Sequence, residues 1–407
     1  KSNNFGTCLQ AVALVKALEE MGYNAFSGCS SLESISLPDT LELIDGYAFS
    51  NCVKLKSVKI PVSVKEIEGG AFTGCSSLKS VTIPSSVTHI AYELFSQCTA
   101  LSDINLPDTI TRIESSAFTN TAFVNDKSNW NGKLLYIGNY LYDSSEDISG
   151  ECTIKDGTTL IANNVFINRN ISSINLPDSL KHIGWSAFSG CSALTSVTLP
   201  DSVYDVGSAV FKDCQSLKTV VLPNGIDFIP AEIFSGCSQL NDITIPETVK
   251  AIEENAFMDC SSLTGIIIPD SVKTIEDFAF SGCSSLTDIS IPSTTEDLGN
   301  CIFTDCASLK SLNVDDKNKN YKDIDGVLFD ITGKTLIAYP TSKADSDYTI
   351  PDSVEVINSG AFYKNKYIKS IDMHDNVIEI GSSAFSGCKK LNSIKLSDNV
   401  TALNSAL

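Results

Sequence analysis

Cysteine is the residue type whose number and spacing in this chain could support the most chemistry. The 407 residues include 14 cysteines, which could form disulfides or hold a metal ion. Ten of them follow a phenylalanine by three residues in two runs with a period of 23: Phe26/Cys29, Phe49/Cys52, Phe72/Cys75, Phe95/Cys98, then Phe188/Cys191, Phe211/Cys214, Phe234/Cys237, Phe257/Cys260, Phe280/Cys283 and Phe303/Cys306.

This spacing argues against both kinds of chemistry. Cysteines one period apart would stack with parallel Cα–Cβ vectors, whereas a disulfide needs the two vectors to face each other. Zinc needs Cys and His ligands clustered at short spacing, and the sequence has no such cluster. We therefore predict reduced thiols that act as small buried apolar side chains, with no metal and no cofactor. The oxidation state of Cys301, Cys306, Cys8 and Cys152 stays open.

The remaining reactive residue types give no catalytic motif. The three histidines, His89, His182 and His374, have no motif around them, and the sequence contains neither a nucleophile elbow nor a phosphate-binding loop. We predict surface histidines and a protein that is not an enzyme.

A row of acidic turn residues offers one alternative. Side chains that follow a proline at the same repeat position would stack along one edge and could collect calcium, or could be solvated turn residues bonded to their own backbone. This row comprises Asp178, Asp201, Asn224, Glu247 and Asp270.

The elements that position these residues follow from a single repeat, such as residues 172–195. Ile174 and Leu176 alternate with polar residues, which predicts a short strand with one buried face, ended by a proline. Leu180 and Ile183 should point inward from the opposite wall, and the segment 187–191 suits a single helical turn. A 23-residue period predicts stacked repeats, about 15 of them, with parallel strands on one side and a phenylalanine spine.

The motif Leu-x-x-Ile-x-Leu-Pro-x-x-Val/Leu-x-x-Ile-x-x-x-Ala-Phe-x-x-Cys resembles the BspA-type, or Treponema-type, leucine-rich repeat. The resemblance covers nearly the whole chain. It implies one leucine-rich repeat solenoid over residues 1–407, curved and right-handed, with a parallel β-sheet on the concave face and single helical turns on the return side. It also implies a cell-surface or secreted protein without a shared catalytic or binding motif, several relatives being linked to adhesion.

Three segments depart from the motif. Residues 8–22 favour an N-terminal capping helix by composition, although a degenerate repeat fits as well. The segments of about 123–150 and 315–345 are insertions that predict β-hairpins, one of them bent around Gly138-Asn139. These hairpins either extend the strands at one edge of the solenoid or protrude as binding elements.

The candidate protein-binding residues come from these insertions and from the strand face, by which we mean the outward side chains of the repeat's first strand. The strand face is mostly small and polar, with an apolar exception at two positions, and therefore favours a hydrated surface. The candidates are Trp130, Tyr136, Tyr140 and Tyr142 in the first insertion, Tyr321, Phe329 and Tyr339 in the second, and Val221 and Ile267 on the strand face.

Charge and hydropathy limit the partners. The formal charge is −20, which argues against nucleic acid, and no apolar stretch is long enough to span a membrane. Residues 201–300 are the most acidic, with 16 Asp and Glu against 4 Lys. We expect a protein that binds host-matrix or cell-surface proteins, or alternatively a rigid spacer that presents another domain. The last repeat stops before its phenylalanine place, so end-to-end self-association through this open repeat is also expected.

Overall fold

The computed structural model describes residues 25–401 and 403, so the expected capping helix at 8–22 lies outside the described residues. The described chain divides into two compact units. The first unit comprises residues up to 148 together with 157–166 and 182–187, and the second comprises 149–156, 167–181 and the residues from 188 onward.

Nearly all the regular structure is short β-strand. The described part of the first unit also contains a short helix, α1 (Ala122–Asn125), and a 3-10 turn at Lys127–Asn129. Strands are numbered in chain order. The first unit contains β1 (Leu43–Ile44), β2 (Glu66–Ile67), β3 (Ser80–Thr82), β4 (His89–Ile90), β5 (Asp103–Asn105), β6 (Arg112–Ile113), β7 (Trp130–Asn131), β8 (Leu134–Ile137), β9 (Tyr140–Ser144), β11 (Leu160–Ile161) and β13 (His182–Ile183). The second contains β10 (Ser149–Thr153), β12 (Asn170–Asn175), β14 (Ser196–Thr198), β15 (Asp205–Val206), β16 (Thr219–Val221), β17 (Phe228–Ile229), β18 (Asp242–Ile243), β19 (Ala251–Ile252), β20 (Thr274–Ile275), β21 (Asp288–Ile291), β22 (Asp297–Leu298), β23 (Ser311–Val314), β24 (Tyr321–Ile324), β25 (Val327–Asp330), β26 (Thr335–Ala338), β27 (Asp347–Thr349), β28 (Val356–Ile357), β29 (Ser370–Asp372), β30 (Glu379–Ile380) and β31 (Ser393–Lys395).

Each 23-residue repeat forms one rung of a parallel β-solenoid, as predicted. The first strands of neighbouring rungs pair in parallel with residues one period apart, for example Val197 with Val220 in β14 and β16. The sequence did not predict that each rung also contributes a second, shorter strand. These strands form a second parallel row, in which Ala251 pairs with Thr274 and Ile252 with Ile275.

The core lies between the two rows of strands. Most inward Leu, Ile and Val side chains of both rows are buried, and so are the spine phenylalanines from Phe49 to Phe362, whereas Phe26 and Phe385 are half-buried. Ring centroids in the spine are 5.1–5.7 Å apart from Phe26 to Phe118 in the first unit and 5.3–6.1 Å apart from Phe188 to Phe303 in the second. One repeat per rung therefore places identical side chains in van der Waals contact.

The expected helical turn on the return side is wrong in detail. The segment around Phe72 forms separate hydrogen-bonded turns, with Thr73 N donating to Gly70 O and Cys75 N donating to Phe72 O. Gly70 and Gly74 have positive φ, at +67° and +73°. Because a left-handed residue interrupts each turn, no helix can propagate.

Both insertions join the second row of strands. In the first unit β8 and β9 form an antiparallel hairpin with Gly138 and Asn139 in the turn, and β9 pairs in parallel with β11. In the second unit β24, β25 and β26 form an antiparallel meander, and β26 pairs in parallel with β28. Each insertion thus contributes a strand to the ladder.

Candidate binding surface

The aromatic residues of the first insertion lie mainly inside the stack. Tyr136, Tyr140 and Tyr142 are buried. The Tyr142 hydroxyl donates to Ser115 O (2.7 Å) and accepts from Phe118 N (3.0 Å), so it supplies the hydrogen bonds that a neighbouring rung's backbone would otherwise make. Burial raises the pKa of Tyr142 because the charged phenolate would lose its hydration. These rings cannot reach a partner in this structure.

The second insertion is built in the same way. Phe329 and Tyr339 are buried, and Tyr339 stacks on Phe362 at 4.8 Å while its hydroxyl contacts Asp345 Oδ2 at 2.6 Å. Tyr321 is half-buried, and its hydroxyl accepts a hydrogen bond from Leu298 N (3.0 Å). Here too the aromatic rings build the insertion into the solenoid.

Besides the half-buried Tyr321, three of the predicted residues retain accessible surface. Trp130 is half-buried, with Lys127 Nζ 4.2 Å from its ring centroid and its indole N–H donating to Val124 O. Val221 is exposed at the end of β16, and Ile267 is 86% exposed. The latter two are two rungs apart with the exposed Thr244 position between them, so they remain separate apolar points on the polar strand face.

A richer surface lies at the corners of the first unit, where the second strand turns toward the spine. We call it the corner row. It consists of the three-residue corners 45–47, 68–70, 91–93, 114–116, 162–164 and 184–186. Two corners carry large exposed aromatic residues: Tyr92 is 52% exposed and Trp185 is 47% exposed. The corner row therefore presents the ring surface that the insertions do not.

Two tyrosines of the corner row lie over a pair of glycines. A β-carbon at Gly69 would be 2.2 Å from Tyr92 Cε1, and one at Gly70 would be 2.3 Å from Tyr47 Cε1. Each ring therefore occupies the space of a missing side chain in the rung between them. The contact between the two hydroxyls, together with burial, raises the pKa of Tyr47. We call the two rings and the two glycines together the tyrosine platform.

A second group in the corner row surrounds Glu114. Its Oε2 accepts from Asn163 Nδ2 (2.7 Å), while its Oε1 lies 3.4 Å from His89 Nε2 and 3.7 Å from Arg112 Nε. The Arg112 guanidinium stacks on Trp185, 4.6 Å from the ring centroid. The His89 and Asn163 side chains hold the pKa of the Glu114 carboxyl below its usual range, against the opposing effect of burial.

The first insertion creates this group. Asn163 is 49 residues after Glu114, yet the two corners are neighbours because the inserted rung has strands but no corner or phenylalanine turn of its own. Sequence reasoning missed the corner row because it examined the strand face and the insertions. The available signal was an aromatic residue three places before the spine phenylalanine, as at Tyr23, Tyr92 and Trp185, where the remaining repeats have small or polar residues.

The acidic turns do not gather into a metal centre. Within 25–401 and 403, no group of three or more His, Cys, Asp or Glu side chains could hold a metal ion. Asp201 Oδ1 accepts hydrogen bonds from Asn224 N and Nδ2, each at 3.2 Å, one rung away. The turn carboxylate thus bonds the next rung rather than its own backbone.

Comparison with known proteins identifies the family. A model of the BspA type leucine rich repeat region, in six copies, matches residues 2–125, 126–240, 250–343 and 341–407. The chain belongs to the BspA-type leucine-rich repeat family. The resemblance drawn from the repeat motif is thus confirmed. None of the curated proteins compared with this BspA-type chain matches it.

Solved structures of bacterial leucine-rich repeat proteins are similar to this BspA-type chain. A leucine rich cell surface protein of Faecalibacterium prausnitzii is 29% identical with a TM-score of 0.59, over 67% of this chain and 77% of that one. A leucine-rich repeat protein of Bacteroides ovatus is 24% identical with a TM-score of 0.41, over 89% and 86% of the two chains. The T. pallidum leucine rich repeat protein is 26% identical with a TM-score of 0.39, over 42% and 82%. Across the described part of the chain, no helix is both long and apolar enough to cross a membrane.

Proposed function

We propose that this BspA-type protein is a cell-surface or secreted protein that binds another protein through its corner row and acts in adhesion to host or neighbouring-cell proteins. The cell-surface description of the F. prausnitzii protein supports the location. The observation that carries the binding site is the Arg112–Trp185 stack, with the exposed Tyr92 on the same corner row. Arg, Trp and Tyr are the residue types that dominate binding energy in protein interfaces.

The proposed action is binding without catalysis. His89 and Glu114 are the kind of pair that could transfer a proton, but Glu114 is also bonded to Asn163 and in contact with Arg112. A carboxylate held by three partners is suited to fixing the position of Arg112, and through it the Trp185 ring. This arrangement supports a positioning role for the pair.

The test is binding of the full chain to a panel of purified extracellular-matrix and cell-surface proteins. For a panel member that binds, we expect Trp185→Ala to weaken the affinity about tenfold or more, because truncating a hot-spot aromatic residue costs about 2 kcal/mol. The matched control is Tyr204→Ala, since Tyr204 is 55% exposed in the second unit and outside the corner row.

Other variants distinguish the alternatives. If Val221→Ala and Ile267→Ala weaken binding and Trp185→Ala does not, the strand face is the site and the corner row is not. Point substitutions are preferable to deletion of residues 123–150, because deletion would also remove the buried Tyr142. If no panel protein binds and the chain is needed only to hold a fused domain at a distance, the rigid-spacer alternative holds instead.

A further inference from the structure

The tyrosine platform has a shape that suits one kind of ligand. Each ring packs against the Gly69–Gly70 backbone, and Tyr92 remains 52% exposed. The two glycines place the rings on the two sides of one rung, with Tyr92 over Gly69 and Tyr47 over Gly70. The platform therefore offers preorganised aromatic surface, and binding costs it little conformational entropy.

Carboxylates surround this platform without a matching cation. Glu68 Oε2 lies 3.6 Å from the position of a β-carbon at Gly46, the residue that follows Asp45. The nearby Asp45 carboxylate, with burial, raises the pKa of Glu68. Glu93 lies close enough to Tyr47 to raise its pKa electrostatically. Lys65 is three residues from Glu68 but pairs with Glu42 instead, at 3.1 Å. Among the residues that the structure describes, Asp45, Glu68 and Glu93 take part in no ion pair with a lysine, arginine or histidine.

Aromatic faces and carboxylates attract the same chemical group. The face of a tyrosine ring carries negative electrostatic potential and attracts a cation within about 6 Å of its centroid. Two neighbouring carboxylates repel each other, and a cation between or beside them lowers this electrostatic repulsion. A guanidinium satisfies both, because it stacks on rings and donates to carboxylates in its plane.

We infer that the tyrosine platform, edged by Asp45, Glu68 and Glu93, binds an arginine or lysine side chain of the protein partner. The inference rests on the proposed function, to which it adds the chemistry of the partner: a basic segment. Arginine fits better than lysine because its planar guanidinium can lie flat on the rings. Charge complementarity would also accelerate association with this acidic chain at low salt.

The test uses a fluorescent peptide of alternating glycine and arginine and its citrulline counterpart, which has the same shape without the charge. Binding to the full chain is followed by fluorescence anisotropy at low and high salt. We expect the citrulline peptide to bind at least fivefold more weakly. Tyr92→Ala and Glu68→Gln should each weaken binding of the arginine peptide about two- to fivefold.

Two controls separate the platform from general attraction to an acidic protein. Asp270→Asn removes one exposed carboxylate from the second unit and should leave the affinity unchanged. Gly69→Ala displaces the Tyr92 ring without changing any charge and should weaken binding as Tyr92→Ala does. Thermal melting of each variant shows that it is folded.

Three results would overturn the inference. They are equal binding of the citrulline peptide, which would indicate stacking of a neutral group, equal losses from Asp270→Asn and Glu68→Gln, and no loss from Tyr92→Ala in a folded protein. The proposed function is tested separately by Trp185→Ala against a whole protein partner. A platform that fails the peptide test while Trp185→Ala still weakens partner binding would refute this inference and leave the proposed function standing.

Discussion

At the scale of the residue, the cysteines have a more specific role than that of a small apolar side chain. Nine thiols of the described residues donate to the carbonyl of the phenylalanine 26 residues earlier, as Cys75 Sγ does to Phe49 O (3.2 Å) and Cys237 Sγ does to Phe211 O (3.0 Å). Three rungs have a different residue in the cysteine place, namely Thr121, Arg169 and Asn365. Two of these substitutes are compact donors: Thr121 Oγ1 donates to Phe118 O, and Asn365 Nδ2 donates to Pro340 O. At these two rungs, as at the rungs with a thiol, the position holds a compact hydrogen-bond donor.

The thiol donor predicts a difference between two substitutions of nearly the same shape. We expect Cys237→Thr to be more stable than Cys237→Val by about 1 kcal/mol, because only threonine can donate to Phe211 O. Urea unfolding of the two variants measures the difference. A valine variant at least as stable as the threonine variant would show that the thiol acts only by filling space.

At the scale of the element, a hydrogen bond between the side chains of Glu114 and Asn163 joins two corners of the first unit. Glu114 follows β6 directly and bonds Asn163, which follows β11 by two residues, so its carboxylate connects two rungs across the insertion. A chain that skips a corner must bring two distant corners together, and the polar groups exposed by that skip need partners. Glu114 supplies one such partner, because its Oε2 accepts from Asn163 Nδ2.

The lowered pKa of Glu114 predicts a contribution to stability that depends on pH. Because the folded-state pKa lies below the unfolded value of about 4.3, the contribution is complete above that value and is lost as the pH falls through the folded pKa. Glu114→Gln should therefore lower the unfolding free energy by about 1–2 kcal/mol at pH 7 and flatten its decline between pH 5 and 3.

The measurement is the melting temperature from pH 7 to pH 3 for both proteins. Glu296→Gln is the control, since Glu296 pairs with Lys273 at an exposed site and should change stability little. If the melting temperatures of Glu114→Gln and the wild type fall in parallel as the pH decreases, the Glu114 carboxylate does not make this pH-dependent contribution to stability.

At the scale of the whole molecule, the buried thiols make the fold sensitive to alkali. Burial raises the pKa of Cys191, Cys237 and Cys306 to about 12, because a thiolate there would lose its hydration. In the unfolded chain a cysteine titrates near pH 8.5. Above that pH the unfolded chain releases thiol protons that the folded chain keeps.

We therefore expect the stability to fall as pH rises from about 8.5 toward 10, by about 1.4 kcal/mol per pH unit for each such thiol. The measurement is the urea midpoint between pH 7 and about 9, where few tyrosines of the unfolded chain are ionised. Cys237→Thr should show a shallower decline than the wild type, since it has one buried thiol fewer. Identical slopes in the two proteins would contradict the assignment.

The sequence predicted those features of the fold that are set within a single repeat. The period of 23, the Ile-x-Leu strand, the proline that ends it and the inward Phe and Ile positions were all legible, and stacked identical side chains can pack in only a few ways. The second row of strands was not predicted, because its strands, such as β4 and β19, are only two residues long. An alternation pattern needs more residues than that to appear.

The sequence predicted binding residues on the insertions and the strand face, and it predicted neither the corner row nor its residues. The insertions do alter the surface, yet Tyr136, Tyr140, Phe329 and Tyr339 are buried because an inserted rung must extend the core as well as the ladder. An aromatic residue in a β-prone segment is compatible with either face, and one residue of register decides which. The exposed rings lie instead on rungs that follow the repeat pattern.

The sequence by itself determined the repeat, the family and the core of this protein, because these depend on contacts between equivalent positions one period apart. Only the tertiary structure decided which side chains meet. Thiols donate to spine carbonyls, Tyr47 and Tyr92 pack over two glycines, and Glu114 accepts a hydrogen bond from Asn163. These contacts join different positions of different rungs. The physical reason is that a repeat pattern specifies what stacks on itself, whereas side-chain direction and skipped corners emerge only when the rungs are assembled.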